Sequence, residues 1–309
     1  MNSPVDISVV IITHNHEKWI HFCLDSLMGT QQSYDLEIIL IDNASTDGTL
    51  TVVEKYPAVQ IIRCLTNQGF CASNNLGIDL SKGEYILLIN PDSMVDKNYL
   101  TSAIHTLQTH PEVALLAGKV LRMDVNAQPV LQGGLPLIDT AGIEMYSNRQ
   151  AVDIGQGETD HGQYDQEGEV FGVSAAVCLC RRDALLEVAI DGQVFDNAFF
   201  AYKEDVDLSW RLRLGGWKCW YTPGAVAYHA RGWQSGFKKR QQIPQYVRYH
   251  SFKNRRLMIL KNETLRSFLP NALPILWFEL RAFVYVLLRE PFLLKAYWQV
   301  LKDLPRLLR

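Results

Sequence analysis

Residues Tyr85–Ser93 read YILLINPDS: five apolar or aromatic residues in a row, then Asn90-Pro91-Asp92-Ser93. A short apolar run closed by turn residues is the pattern of a strand buried on both faces in a parallel sheet. Pro91 has no N–H to give to a ladder, so the strand is expected to stop there. Asp92 then stands at the carboxyl end of a central strand, where open α/β sheets place their ligands. A carboxylate at that place can hold a divalent cation or a ribose. The competing reading is a helix cap, an Asp or Ser ahead of VDKNYL.

The flanking chain repeats the pattern. Ile7–Thr13, Leu36–Ile41, Gln60–Leu65 and Val113–Arg122 read as strands. Between them, apolar residues recur at helical spacing over Glu17–Met28, Thr49–Tyr56, Gly69–Leu80 and Lys97–His110. Strands alternating with helices of this length predict βαβ units around a mostly parallel sheet. There is no GxGxxG after the first strand and no GxxxxGK[ST] anywhere, which disfavours a dinucleotide oxidoreductase or a P-loop NTPase. Instead, short polar residues follow three strands: Thr13 and Asn15; Asp42, Asn43 and Ser45; Asn90 and Asp92. Such an arrangement suits recognition of a nucleoside by side-chain hydrogen bonds.

Residues 124–168 break the rhythm, with seven glycines and eight Asp/Glu against one Arg. A segment of that length without a period is disordered or functional, and an insertion shaping an acceptor pocket is the expectation. Phe171–Cys180 reads as a strand, and Lys218–Tyr221 and Ala225–Tyr228 as two more, ending in His229. Glu204, Asp205 and Asp207 crowd the first turn of a helix that Gly215-Gly216 stops. Acids there complement the helix dipole, but a cap needs one carboxylate, not three.

Six scattered cysteines without a CxxC pair read as core residues of a reducing compartment. No signal-like opening and no long uninterrupted apolar run is present, so a cytoplasmic chain is expected. Charge is divided: residues 238–309 hold 15 Lys/Arg and 4 Asp/Glu, net +11, which leaves −14 for residues 1–237 out of a total of −3. The acidic front excludes a nucleic-acid binder despite the basic, aromatic-interleaved run from Phe237 and Lys238 to Arg256. In residues 268–309, Glu279, Arg281 and Pro291 interrupt the apolar pattern and argue against a membrane span. Helices lying peripherally on an anionic membrane and helices packed on the protein remain alternatives.

Taken in order, VVIITHN (Val9–Asn15), IDNASTDGT (Ile41–Thr49), NQGFCASNNLG (Asn67–Gly77), LLINPD (Leu87–Asp92), EVFGVSAAVCLCRRDAL (Glu169–Leu185), FFAYKEDVDLSWRLR (Phe199–Arg213) and VAYHARG (Val226–Gly232) resemble the inverting family 2 glycosyltransferases of the GT-A fold. The resemblance is narrower to bacterial rhamnosyltransferase-like members. It implies a GT-A catalytic domain over residues 1–236 and a basic, amphipathic helical segment over 237–309. It further implies a nucleotide-diphospho-sugar donor and a glycan or lipid-linked acceptor in cell-envelope glycan synthesis. The donor of the rhamnosyltransferase-like relatives is dTDP-L-rhamnose; a UDP-hexose and a non-catalytic nucleotide-sugar binder are the alternatives.

By resemblance, Thr13, Asn15, Asp42, Asn67, Asn75, Asn90 and Asp92 form the nucleotide site. Asp92 is the last carboxylate of a DxD motif for Mg²⁺ or Mn²⁺, with His229 near the same metal. Asp205 is the general base and Glu204 its acidic neighbour. Two residues depart from the family pattern. His14 stands where Tyr is usual, and Asn90 replaces the first Asp of DxD, removing one charge from the metal site.

Overall fold

The computed structural model describes residues 6–30, 34–231, 240 and 242–307. The first half alternates as the apolar pattern requires: β1 (Ile7–Thr13), α1 (Ile20–Met28), β2 (Leu36–Asp42), α2 (Thr49–Val53), β3 (Val59–Arg63), α3 (Gly69–Leu80) and β4 (Tyr85–Ile89). Next come β5 (Ser93–Val95), α4 (Tyr99–Thr109) and the long β6 (Val113–Arg122). Short strands fill the insertion: β7 (Leu131–Gln132), β8 (Leu135–Pro136), β9 (Ile138–Thr140), β10 (Ile143–Met145) and β11 (Ala151–Asp153). β12 (Gly168–Val170), β13 (Val177–Arg181), α5 (Arg182–Glu187), α6 (Glu204–Leu214) and β14 (Lys218–His229) follow. Three helices end the chain: α7 (Gln245–Asn262), α8 (Leu265–Arg289) and α9 (Leu294–Leu307).

The main sheet runs β12-β14-β6-β13-β4-β1-β2-β3. Six of these eight strands point one way, and β12 and β13 oppose them. Side chains alternate across the pleat into two cores. Val9, Ile11, Leu87 and Ile89 pack with α1 and α4 on one face, and Val10, Ile86 and Leu88 pack with α3 and α6 on the other. Each buried aliphatic side chain contributes about 1.5–3 kcal/mol, which is why these runs are continuous rather than alternating.

Several expectations are corrected. Ser93–Val95 does not enter a helix but pairs antiparallel with β14, ahead of α4. Residues 218–229 form one strand, not two, with its register against β6 broken between Thr222 and Val226. Pro223 and Gly224 lie in that break, and Gly118 opposite is required, since a Cβ would meet the Ala225 carbonyl oxygen at 2.0 Å. In the Phe171–Cys180 stretch, regular pairing is confined to Val177 onward. The insertion is built of strands two or three residues long, too short to print a period in sequence. It is tied in by β9 against β6 and by an antiparallel bridge from Ile143 of the β10–β11 hairpin to Gly172.

In the tail, Phe237, Lys238 and Lys239 of the basic run lie outside the described residues. The remainder turns inward. Lys253, Arg255 and Arg256 are buried; Lys253 donates to the Ala198 carbonyl, Arg255 and Arg256 pair with Glu279, and Arg248 and Arg240 pair with Glu290. Leu265–Arg289 is a continuous helix, long and apolar enough by length and composition to cross a membrane, contrary to the sequence expectation of an interrupted pattern.

Candidate active site

The carboxyl ends of β1, β2 and β4 form the first part of the site. Register places Thr13 beside Asp42 and Ile11 beside Ile89, so Asn90 continues from the same edge. Thr13 is fully buried and Asp42 nearly so. The Ser45 N–H donates to Asp42 Oδ1 at 3.2 Å, which turns the chain after β2. Asn15 has φ +61°, a conformation Asn adopts more readily than most residues. Its Oδ1 accepts from the N–H groups of Thr46 (2.7 Å) and Asp47 (3.3 Å), fastening the loop after β1 to that after β2. His14 donates through Nδ1 to the Asn43 carbonyl at 2.9 Å. Asn67 Oδ1 accepts from Asn43 Nδ2 and from the Gly69 N–H, both at 2.9 Å. Asn75 lies further back. Its Nδ2 donates to Phe195 O (2.7 Å) and Asn197 Oδ1 (3.0 Å), and its Oδ1 accepts from Phe195 N (2.8 Å), so its amide pins the turn ahead of α6.

The second part is a line of charges that begins at Asp92. His229, at the end of β14, directs Nε2 toward Asp92 Oδ1 at 3.5 Å and Nδ1 toward Asp139 Oδ2 at 2.9 Å. Asp139, on β9 of the insertion, is fully buried. Arg231 reaches Asp139 and the β11 residue Asp153, both at 2.8 Å. Burial alone would lower the His229 pKa, but the charges of Asp92 and Asp139 outweigh it and raise it to about 9. Burial likewise opposes ionisation of Asp92, yet His229 and His16 hold its carboxyl below the usual range. His16 is itself held neutral-leaning by burial, with Asp92 and Asp47 pulling the other way.

The third part is the start of α6. Burial and the Asp205 charge push the Glu204 carboxyl up to about 8, and the buried Glu204 Oε2 meets no hydrogen-bond partner among the described residues. Asp205 is partly buried. Burial raises its pKa, Lys203 opposes this, and the charge of Asp153 adds to it. Asp153 thus links the halves: it acts on Asp205 and pairs with Arg231, which leads through Asp139 and His229 to Asp92. Asp207, two residues on, has a different task. It is 1% exposed and binds Arg211 Nε (3.0 Å), Lys261 Nζ (2.9 Å) and Asn262 Nδ2 (2.8 Å), joining α6 to α7.

Burial raises both adjacent carboxyls, and the charge of Asp205 adds to the rise at Glu204. A pair of carboxyls perturbed in this way is a frequent feature of acid–base sites. Sequence reasoning named both ends of the line but not its middle. Asp139, Asp153 and Arg231 come from the insertion and the strand after it, and His16 from the loop after β1. The acid excess of residues 124–168 was the one signal that pointed to Asp139 and Asp153, and none singled out Arg231 or His16.

Asp92 and His229 offer two donors to a divalent cation. Asp139 takes the His229 Nδ1 side, leaving Nε2 facing a carboxylate oxygen 3.5 Å away. Two ligands of one cation can adopt that spacing, and a carboxylate behind a ligating histidine is the usual support. Among the described residues, no group of three His, Cys, Asp or Glu is arranged to hold a metal. The residues therefore fit a cation shared with a phosphate ligand, not one held by protein alone.

The sequence profile of glycosyl transferase family 2 matches residues 8–185. The N-acetylglucosaminyl-diphospho-decaprenol L-rhamnosyltransferase of Mycobacterium tuberculosis is 25% identical over 252 residues, 74% of this chain and 78% of that protein. The poly(ribitol-phosphate) beta-glucosyltransferase of Bacillus spizizenii is 38% identical over 100 residues, 30% of this chain and only 16% of that protein's length. Among solved structures, GalNAc-T7 with UDP, GalNAc and Mn²⁺ superimposes with a TM-score of 0.64 at 14% identity, over 84% of this chain and 48% of that one.

Proposed function

Because the chain belongs to glycosyl transferase family 2, we propose that it moves L-rhamnose from dTDP-L-rhamnose onto a hydroxyl of a lipid-linked or polysaccharide acceptor in cell-envelope glycan synthesis. The observation that carries the mechanism is the adjacent carboxyl pair at α6, both raised by burial, beside the line of Asp153, Arg231, Asp139 and His229 that leads to Asp92 at the sheet edge. In this reading Asp205 removes the acceptor hydroxyl proton as its oxygen attacks the anomeric carbon, and configuration at that carbon inverts. Such a base contributes roughly 10²–10⁴-fold. Thr13, Asn15, Asp42, Asn67 and Asn90 surround the nucleotide, and Asn75 serves by fixing the 195–197 turn. Asp92 and His229 would hold Mg²⁺ or Mn²⁺, which when bound supplies charge to the departing diphosphate. Lys203 keeps the Asp205 carboxyl in reach of ionisation, and the insertion closes the acceptor side.

The rhamnosyl donor is favoured by the relative that aligns over most of its own length. A UDP-hexose is the second reading, favoured by the higher identity of the shorter glucosyltransferase match. Calorimetric titration with dTDP-L-rhamnose and with UDP-glucose separates the two. For the mechanism, Asp205→Asn should bind donor like the native chain and lose transfer by 10²-fold or more. Transfer at the native rate would rule Asp205 out as the base.

A further inference from the structure

α8 is more apolar on its open side than on its packed one. Ile275 and Val286 are its buried residues. On the other side Leu269, Leu273, Leu276, Trp277, Leu280 and Leu288 are each more than half exposed. Their spacing of three, four and seven residues places them in one stripe along the helix. α9 continues the surface: Ala296 and Val300 face inward, while Leu294, Trp298 and Leu301 face out at i, i+4 and i+7. An exposed apolar patch of this extent marks an interaction surface.

The surrounding charge identifies the partner. Among the described residues of α8 and α9, the exposed charged side chains are Arg266, Arg281, Arg289, Lys295, Lys302 and Arg306, all basic. Of the acids, Glu279 pairs with Arg255 and Arg256, Glu290 is buried against Arg240 and Arg248, and the partly exposed Asp303 accepts from Gln299 Nε2; Arg306 is itself paired with Asp196, which leaves five of the exposed cations for a partner. A second copy docked through the same face about a twofold axis would set these cations against one another. An anionic surface complements them. The helix is also held lengthwise on the protein. Arg149 donates to the Ser267 carbonyl near one end, and Glu279 is paired near the middle. A span would pull Glu279 and Arg281 into hydrocarbon, whereas a helix lying in the headgroup plane keeps both where they are.

We propose that α8 and α9 form a docking face for an anionic phospholipid bilayer, with the leucine stripe in the acyl boundary and the basic side chains among the headgroups. The inference rests on this surface alone and stands apart from the donor and acceptor assignments. The test uses the full chain with vesicles of phosphatidylcholine, with and without 30 mol% phosphatidylglycerol (composition chosen for the assay). Binding is expected to need the anionic lipid and to weaken as salt screens it. Arg281→Glu with Lys295→Glu should lower partitioning by about fivefold or more per charge, and Leu273→Glu with Leu280→Glu by more than tenfold. All four positions are exposed, so the melting temperature should hold. Trp277 and Trp298 give a second readout: brominated acyl chains should quench the native chain and quench Trp277→Phe/Trp298→Phe much less. Equal binding to neutral vesicles, or no binding together with a dimer that Leu276→Glu dissociates, would overturn the proposal. Nucleotide binding measured in solution should be unchanged in every one of these variants, so failure here leaves the transferase reading intact.

Discussion

The loop that delivers Asp205 is held by a residue of the tail. Phe200 (φ +65°, ψ −61°), Tyr202 (φ +73°) and Lys203 (φ +70°) are non-glycine residues with positive φ in one four-residue stretch. Strain of this kind costs about 1–3 kcal/mol per residue and survives only where its surroundings over-determine it. Asn254 of α7 is fully buried, and its Nδ2 lies 2.9, 2.8 and 2.6 Å from the carbonyl oxygens of Phe199, Ala201 and Tyr202. Two hydrogens serve three acceptors. At about 1 kcal/mol net per hydrogen bond, the amide contributes on the order of 2–3 kcal/mol, no more than the low end of the roughly 3–9 kcal/mol that three such residues store. In Asn254→Ala the loop can therefore relax toward negative φ at little net cost, carrying Lys203, Glu204 and Asp205 with it. A displacement of about 1 Å at a reacting group costs on the order of 100-fold. The expected result is a fall in kcat of about 100-fold, nucleotide affinity within about threefold of native, and a stability loss of at most about 3 kcal/mol. Steady-state transfer kinetics, calorimetric nucleotide binding and urea unfolding give the three numbers. Native kcat accompanied by the stability loss would show that Asn254 only supports the fold. Nucleotide affinity falling in step with kcat would show that the damage is not confined to the base.

Other substitutions separate roles along the same surfaces. Asp207→Ala leaves the buried Arg211 without a carboxylate and Lys261 with Asp196 alone, so a loss of about 3–5 kcal/mol is expected in urea unfolding; a loss below 1 kcal/mol would deny it the role of joint between α6 and α7. Glu204 gains a proton on folding, its pKa rising from about 4.5 in the unfolded chain to about 8. Its contribution is therefore full below pH 4.5 and is lost as pH rises toward 8, by about 1.4 kcal/mol per unit at most. Relative to Glu204→Gln, the native chain should lose stability over that window; parallel pH profiles would contradict the raised pKa. Mn²⁺ should bind weakly to the protein alone and far more tightly with nucleoside diphosphate, and Asp139→Asn should lower that joint affinity by about 10–100-fold. Tight Mn²⁺ binding without nucleotide, or an unaffected Asp139→Asn, would refute the shared-cation arrangement.

The strand that ends at Asn90-Pro91-Asp92 was legible because burial on both faces leaves a continuous apolar run, and proline has no other place in such a sheet. Thr13 and Asp42 were placed correctly for the same reason: their strands are buried, so register follows from where each run stops. The insertion was not legible. Strands of two or three residues carry no period, and Asp139 and Asp153 matter through contacts with β14 and its end at His229 and Arg231, distant in sequence. The tail's basic residues misled in the opposite sense. A stripe of Lys and Arg interleaved with aromatics looks exposed, yet Lys253, Arg255 and Arg256 are buried because Glu279, the Ala198 carbonyl and the faces of Phe252 and Phe278 receive them.

The same inward turn bears on how the chain divides. A boundary near residue 236 follows the change in net charge, but the contacts cross it. Lys253 and Asn254 hold the loop before α6, and Lys261 and Asn262 hold Asp207 within it. Arg255 and Arg256 then carry α8 through Glu279. A single helix, α7, therefore supports the residue proposed as base on one side and the apolar docking face on the other. Removing residues 237–309 would take away the amide that restrains Phe200–Lys203 as well as the lipid-facing helices. A truncated chain that lost both activity and vesicle binding would be uninformative about either. Point changes at Asn254 and at Leu273 separate the two, because Asn254 is buried on α7 against the 199–202 carbonyls while Leu273 is an exposed residue of α8.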